Sequence, residues 1–258
     1  MRKSAIFLFF VTFCLTILGL SAQGGIAVPP QTARTKVKTE EKHKTEDSTQ
    51  RPGAKSKVYL LHSDLLRKDA SYPDAQIVTG NVKFRHDSVY MYCDSACYYD
   101  KVSSFEAFGN VKMVQGDTLF LYGDRLYYDG LTQIAEMRCN VRMENRTTTL
   151  LTDSLNYDRV YNLGYFFDGG TLMDEQNVLT SEWGEYSPQT KQSVFNYNVK
   201  LVNPQFTLTS DTLRYNTASK IADIVGPSDI WSDANHIYSE KGTYNTVSGK
   251  ADLYDRSV

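Results

Sequence analysis

Histidine, cysteine, proline and tryptophan are all scarce in this chain. The four histidines, His43, His62, His86 and His236, share no common interval, and none pairs with another at metal-ligand spacing. They read as isolated strand or surface residues, so no metal or cofactor is expected. Four cysteines and seven prolines in 258 residues exclude a dense disulfide scaffold and a collagen-like chain. No G-x-S-x-G elbow, phosphate loop or H-E-x-x-H helix occurs, and a general acid–base pair would be singular rather than repeated. The expectation is a protein that is not an enzyme. Positive charge is also short in the body: residues 58–258 hold 18 Lys/Arg against 26 Asp/Glu, a balance of −8. That excludes a nucleic-acid binder.

Aromatic residues are abundant, with 18 tyrosines and 12 phenylalanines, and these favour strands over helices. The N-terminus has a different character. Arg2 and Lys3 precede an apolar run from Ala5 to Leu20, followed by Ser21, Ala22 and Gln23, the layout of a secretory signal peptide over residues 1–22. The alternative, an uncleaved anchor, is disfavoured because the run falls short of the roughly 20 residues of a spanning helix. Residues 23–57, rich in Thr, Lys, Glu and Gln with three prolines and no apolar period, read as a disordered linker. The folded body is expected over 58–258.

A 29-residue repeat organises that body. GNVKF at 80–84 returns as GNVKM at 109–113, CNVRM at 139–143 and NVKL at 198–201. Tyr99, Tyr128, Tyr157, Tyr186, Tyr215 and Tyr244 recur at the same interval, each followed by a turn-former such as Asp129 or Asn216. A second turn column is read at Asp87, Gly116, Asn145, Asp174, Asn203 and Ser232. Between the turns run three apolar columns. The first is Tyr92, Leu121, Leu150, Leu179, Leu208 and Ile237; the second is Phe108, Met137, Phe166, Phe195, Ile224 and Leu253. The third is Val114, Met143, Leu172, Leu201 and Ile230. β-branched and aromatic content without a helical stripe predicts two strands per repeat. The units are 58–79 (degenerate), 80–108, 109–137, 138–166, 167–195, 196–224 and 225–253. Units of one length are expected to stack in register, each burying its apolar face against its neighbours. Residues 255–258 align with the opening of a further repeat, so the chain is either part of a longer protein or presents an open last edge.

An acidic column, Asp124, Asp153, Glu182, Asp211 and Glu240, precedes each tyrosine by four residues. One carboxylate per coil, about 4.8 Å from the next, does not converge on a cavity as calcium requires. It reads as a solvated face or as turn bonding. The tyrosines read as core-edge residues with hydroxyls reaching water, the alternative being a carbohydrate-stacking platform. Cys93 and Cys97 would lie about 13 Å apart on a continuous strand, too far to bridge unless a bulge intervenes. The slip between Asp94 and Tyr99, one residue longer than between Asp124 and Tyr128, suggests such a bulge.

The stretch GNVKMVQGDTLFLYGDRLYYD at 109–129, with CNVRMENRTTTLLTDSLNYD at 139–158 and LVNPQFTLTSDTLRYN at 201–216, resembles the OstA-like family of LptA- and LptC-type lipopolysaccharide-transport proteins. The resemblance covers about 58–258. It implies a twisted, V-shaped β-jelly roll of stacked antiparallel strands whose apolar trough holds the acyl chains of lipopolysaccharide or lipid A. It further implies a periplasmic or outer-membrane-associated protein that stacks edge to edge with similar β domains or with itself and meets membranes only through partners. The residues nominated to face lipid are Leu121, Leu150, Leu179 and Leu208 with Phe108, Met137, Phe166 and Phe195. Burial of acyl chains, worth about 0.8 kcal/mol per CH₂, needs no catalytic group. Two features sit against this picture: the acidic body does not attract phosphorylated lipid, and Gly169, Gly170, Thr171, Trp183 and Gly184 predict a local distortion that breaks the trough. The competing function is a structural or adhesive repeat protein that binds a protein or glycan partner. An outer-membrane barrel is disfavoured by polar residues on every candidate lipid face and by uniformly short turns.

Overall fold

The computed structural model describes residues 57–233, 235–255 and 257–258. The expected signal peptide and all but the last residue of the expected linker lie outside the described residues. Within them, alternating apolar sequence gives strands β1 (Tyr59–His62), β2 (Leu65–Lys68), β3 (Gln76–His86), β4 (Val89–Tyr99), β5 (Ser104–Gln115) and β6 (Leu119–Asp129). They continue as β7 (Ile134–Asn145), β8 (Thr148–Asp158), β9 (Leu163–Phe166), β10 (Gly170–Asp174), β11 (Asn177–Ser181), β12 (Trp183–Tyr186) and β13 (Gln192–Asn203). The last are β14 (Phe206–Asn216), β15 (Ile221–Ile224), β16 (Ser228–Ser232), β17 (Asn235–Ser239), β18 (Lys241–Asn245) and β19 (Ala251–Tyr254). All pair antiparallel in one continuous sheet; β3 to β8 pair with their sequence neighbours, while β1 pairs with β3, β8 with β10, β9 with β12, β11 with β13, β14 with β16 and β15 with β18. The fold is an all-β antiparallel jelly roll.

Each long strand is interrupted at its middle. Register shifts fall between Thr79 and Val82 in β3, Phe108 and Val111 in β5, Arg138 and Val141 in β7, and Asn196 and Val199 in β13. The two residues skipped are those of the GN motif, and both are left-handed: Gly80 and Asn81, Gly109 and Asn110, Cys139 and Asn140, Tyr197 and Asn198. Glycine and asparagine are the residues that tolerate this conformation best. The double bulge folds each strand into two arms. The first arm holds the strand halves joined by the tight turns after His86, Gln115, Asn145, Asp174 and Asn203; the second holds those joined by the longer turns after Tyr99, Asp129, Asp158, Tyr186 and Asn216. In the longer turns, Asp129, Asp158, Asn216 and Asn245 accept backbone N–H bonds two or three residues on, at 2.8–3.1 Å, as their column predicted.

The arms bury their facing sides against each other. Phe84 of the first arm stacks on Phe105 of the second with ring centroids 4.2 Å apart, and Phe206 meets Tyr244 at the same distance. Two unbroken apolar ladders line the interior. One runs through directly paired residues Phe84, Met91, Met113, Leu121, Met143, Leu150, Leu172, Leu179, Leu201, Leu208 and Ile230. The other passes from Ala107 through Leu126, Met137, Leu155, Phe166, Gly184, Phe195 and Leu213 to Ile224.

These ladders correct the repeat register at its start. The turn between β5 and β6 holds Gly116, Asp117 and Thr118, whereas the turns after His86, Asn145 and Asp174 hold two residues. The extra residue makes one repeat 30 long, so everything before Gly116 is displaced by one. Tyr98, not Tyr99, is the buried member of the tyrosine column; Met91 replaces Tyr92, Met113 replaces Val114, and Ala107 replaces Phe108. A one-residue slip moves a side chain to the opposite face, and Tyr92 is accordingly exposed.

The expected break in the trough does not occur. From β9 onward several strands divide at the corner, but both ladders pass through. Gly170 and Gly184 make room for the ring of Phe166: a Cβ on Gly184 would stand 2.6 Å from its Cζ and 3.1 Å from Phe195 Cδ1. Gly184→Ala is therefore expected to overpack the interior and to cost about 1–3 kcal/mol in denaturant unfolding. Combining it with Phe166→Leu should recover much of that loss; an additive double variant would show that the ring is not the obstacle.

Candidate functional site: the apolar interior and its polar seam

Seven of the eight nominated residues, Leu121, Leu150, Leu179, Leu208, Met137, Phe166 and Phe195, face the interior and are each at most 1% exposed. Phe108 is the exception and corrects that nomination. It is half-buried on the outer face of the second arm, with the Arg125 guanidinium 5.6 Å from its ring centroid. Its expected place belongs to Ala107.

The interior is closed opposite the corner by a row of buried polar contacts. Residues ending the first-arm strands meet tyrosine hydroxyls from the second arm. The Tyr128 hydroxyl lies 2.6 Å from His86 Nδ1, and Arg159 reaches both groups from the turn after β8. One level on, Asn162 Oδ1 accepts from the Tyr157 hydroxyl at 3.2 Å and from Gln115 at 2.8 Å. Next, Asn145 accepts from the Tyr186 hydroxyl at 3.3 Å and from Lys191. Then Asp174, fully buried, accepts from the Tyr215 hydroxyl and from Lys220, each at 2.8 Å. Asn177 donates to the Tyr215 hydroxyl at 2.9 Å and accepts from Asn203 at 2.8 Å.

Two expectations change here. The tyrosine hydroxyls bond within the protein rather than reaching water, and with their rings buried they form no stacking platform. Asn145, Asp174 and Asn203 point inward, in phase with the buried residues two positions earlier, and of the three only Asn203 also makes the expected turn bond, accepting from the Gln205 N–H at 3.1 Å. The signal that could have found them is that alternation. A pure Asp/Asn column adjoining a turn masks it.

The acidic column has a local task at the corner. Asp124 accepts from Asn140 Nδ2 at 2.6 Å, Asp94 from Asn110 at 2.8 Å, Asp64 from Asn81 at 2.9 Å, and Glu182 from Asn198. Each carboxylate pins the side chain of the left-handed asparagine on the neighbouring strand. No cluster of metal-ligating residues is present among the described residues. Cys93, Cys97 and Cys139 are free thiols; burial pushes that of Cys93 up to about 12. The slip read between Asp94 and Tyr99 disappears once Tyr98, four residues after Asp94, takes the tyrosine's place; the register shift between Tyr92 and Ser95 is the corner common to the long strands.

A continuous jelly roll with a packed apolar interior and carboxylates bonded to its corner asparagines defines a class of all-β domain. A family model described as OstA-like protein matches residues 55–211. The chain belongs to that family. Among solved structures it is similar to a crystal structure titled as LptH, the LptA-homologous periplasmic component of the lipopolysaccharide transport device of Pseudomonas aeruginosa. The identity is 13%, the match covers 38% of this chain and 76% of that one, and the TM-score is 0.36. A comparison with curated proteins finds no match.

The seam carries a pH signature. Burial pushes the phenols of Tyr128 and Tyr157 from the ordinary value near 10 up to about 12 and raises those of Tyr186 and Tyr215 as well. At Lys220 burial pulls the ammonium down, but its bonds to Asp174 and Glu175 outweigh this and raise it. Groups that hold their protons longer folded than unfolded contribute stability that is intact below pH about 10 and lost as pH rises toward 12. Unfolding free energy should thus be flat near neutrality and fall steeply above pH about 10. Absorbance from the seam tyrosinates, resolved by Tyr128→Phe and Tyr157→Phe, should rise in one step with loss of the β signal. Gradual ionisation of these tyrosines in a still-folded chain would contradict the buried seam.

Proposed function

We propose that this protein is a periplasmic, non-enzymatic component of lipopolysaccharide transport that contributes to outer-membrane assembly. Its interior ladders, including Leu121, Leu150, Leu179, Leu208, Met137, Phe166 and Phe195, hold acyl chains, and its strand edges stack on similar domains. The observation that carries the reading is the pair of unbroken apolar ladders in a chain of the OstA-like family. An acyl chain laid along them exchanges water for apolar side chains at about 0.8 kcal/mol per CH₂. Because those side chains fill the interior, entry requires the arms to part, and the hydrogen-bonded seam is where they separate at least covalent cost. At the first edge, Tyr59, Leu61, Leu65 and Leu66 are exposed on β1 and β2, a surface suited to strand addition. Secretion by a cleaved signal peptide over 1–22, a linker over 23–57 and a repeat domain over 58–258 belong to the same proposal.

The filled interior also favours a second reading, a scaffold that works through its edges and holds no lipid. Native mass spectrometry of residues 23–258 with lipid A, joined to photo-crosslinking from benzoylphenylalanine, separates the two. The carrier reading expects a one-lipid adduct and crosslinks from positions 166 and 195 but not from the outward position 108. A folded protein with no adduct, or with crosslinks from 108 alone, would sink it and leave the scaffold.

A further inference from the structure

The outer face of the first arm carries a ladder that nothing above uses. Residues alternating with the buried ones on β3 to β7 pair directly across the sheet as Lys83, Tyr92, Lys112, Tyr122 and Arg142. Cation and aromatic alternate at every step, over about 19 Å at the usual strand spacing. The cations lie against the rings: Lys83 Nζ is 5.4 Å from the Tyr92 centroid, Lys112 Nζ 5.5 Å from that of Tyr122, and the Arg142 guanidinium 4.5 Å from the same ring. Arg85 adds a further charge beside the ladder, while Glu144 pairs with Arg142 at 3.2 Å. A groove of about 860 Å³ opens along the corner beside Lys112, Tyr122 and Arg142, and Asn110, Asn140, Asp124, Asp153 and Asp168 also line its wall.

We propose that this face binds an extended anionic polysaccharide. Three features select that chemistry. The charge is local: the body is acidic overall, and the outer column of the second arm presents Glu106, Glu136 and Glu185 instead. Strand spacing fixes the cations in a row, so they suit charges repeated along a chain rather than one phosphate. The Asp and Asn wall, already tied together by the corner bonds, offers acceptors and amides to sugar hydroxyls, while the aromatic rings keep the cations upright and give apolar surface to sugar faces. The occupant is a polysaccharide chain and not the headgroup of an internal lipid, because the ladder lies on the opposite face of the strands from the interior columns. The proposal does not depend on whether the interior holds lipid.

The test is calorimetric titration of the full exported chain with a heparin fragment, a polygalacturonate fragment, a neutral maltooligosaccharide, polyphosphate and lipid A vesicles. Both acidic oligosaccharides should bind and the neutral one should not. The double variant Lys112→Gln/Arg142→Gln should weaken binding about tenfold or more. Tyr92→Ala/Tyr122→Ala should weaken it about threefold, and Arg125→Gln on the other arm should leave it unchanged. All these residues lie on the outer face, so every variant should stay folded, with melting lowered by no more than a few degrees. The proposal is overturned by absence of binding, by equal loss in Arg125→Gln, or by polyphosphate binding that matches the saccharides and ignores the tyrosines. It is likewise overturned if lipid A vesicles bind these residues more tightly than either saccharide.

Discussion

The left-handed corner is the constraint on which the rest depends. A straight strand of alternating residues buries one face once; β3, β5, β7 and β13 bury the same face twice, by folding back so that the two halves become opposing layers, while β4, β6, β8 and β14 skip one residue at the corner and turn the other face inward. The double bulge at Gly80–Asn81, Gly109–Asn110, Cys139–Asn140 and Tyr197–Asn198 does this without losing phase, because two skipped residues preserve the inward–outward alternation. The cost of placing a non-glycine residue in that conformation is offset by the asparagine amide bonding a carboxylate on the adjacent strand. The repeated acid is thus part of the backbone's geometry rather than a binding site.

Once the arms face each other, their free edges must be sealed. The seam solves the problem with buried hydrogen bonds: each tyrosine ring belongs to the apolar interior, and its hydroxyl satisfies a polar residue from the opposing arm. The partners differ at each level, from a histidine–arginine pair to amides and then to the Asp174–Lys220 ion pair, while the geometry persists. Buried polar contacts of this sort hold layers in register but contribute less net stability than an apolar contact of equal area. An interior closed by such contacts is firmly aligned, and it is more easily parted than one sealed by continuous apolar packing.

The outer faces of the two arms are free of these demands, and their columns differ in charge. One column of the first arm interleaves cations with aromatic rings, and one column of the second carries Glu106, Glu136 and Glu185 with Arg125 and Arg138 beside it. Net charge predicts non-specific attraction at a distance. Recognition at contact depends on which residues share a column.

Period and composition alone determine the all-β fold, the strand-turn-strand repeat, the Asx turns and most of the interior. Leu121, Leu150, Leu179, Leu208, Met137, Phe166 and Phe195 could be read from the sequence because apolar identity and spacing agree at each. Phe108 and Tyr92 could not, since a single extra residue in the turn at Gly116–Thr118 inverts the face of every position before it, and a turn of two residues looks like a turn of three in sequence. The purpose of the GN motif, the pairing of Asp174 with Tyr215 and Lys220, and the cation–aromatic ladder were decided by tertiary structure. Each brings together groups from different strands or repeats, and a repeat length states how far apart residues lie along the chain but not which way the chain bends between them.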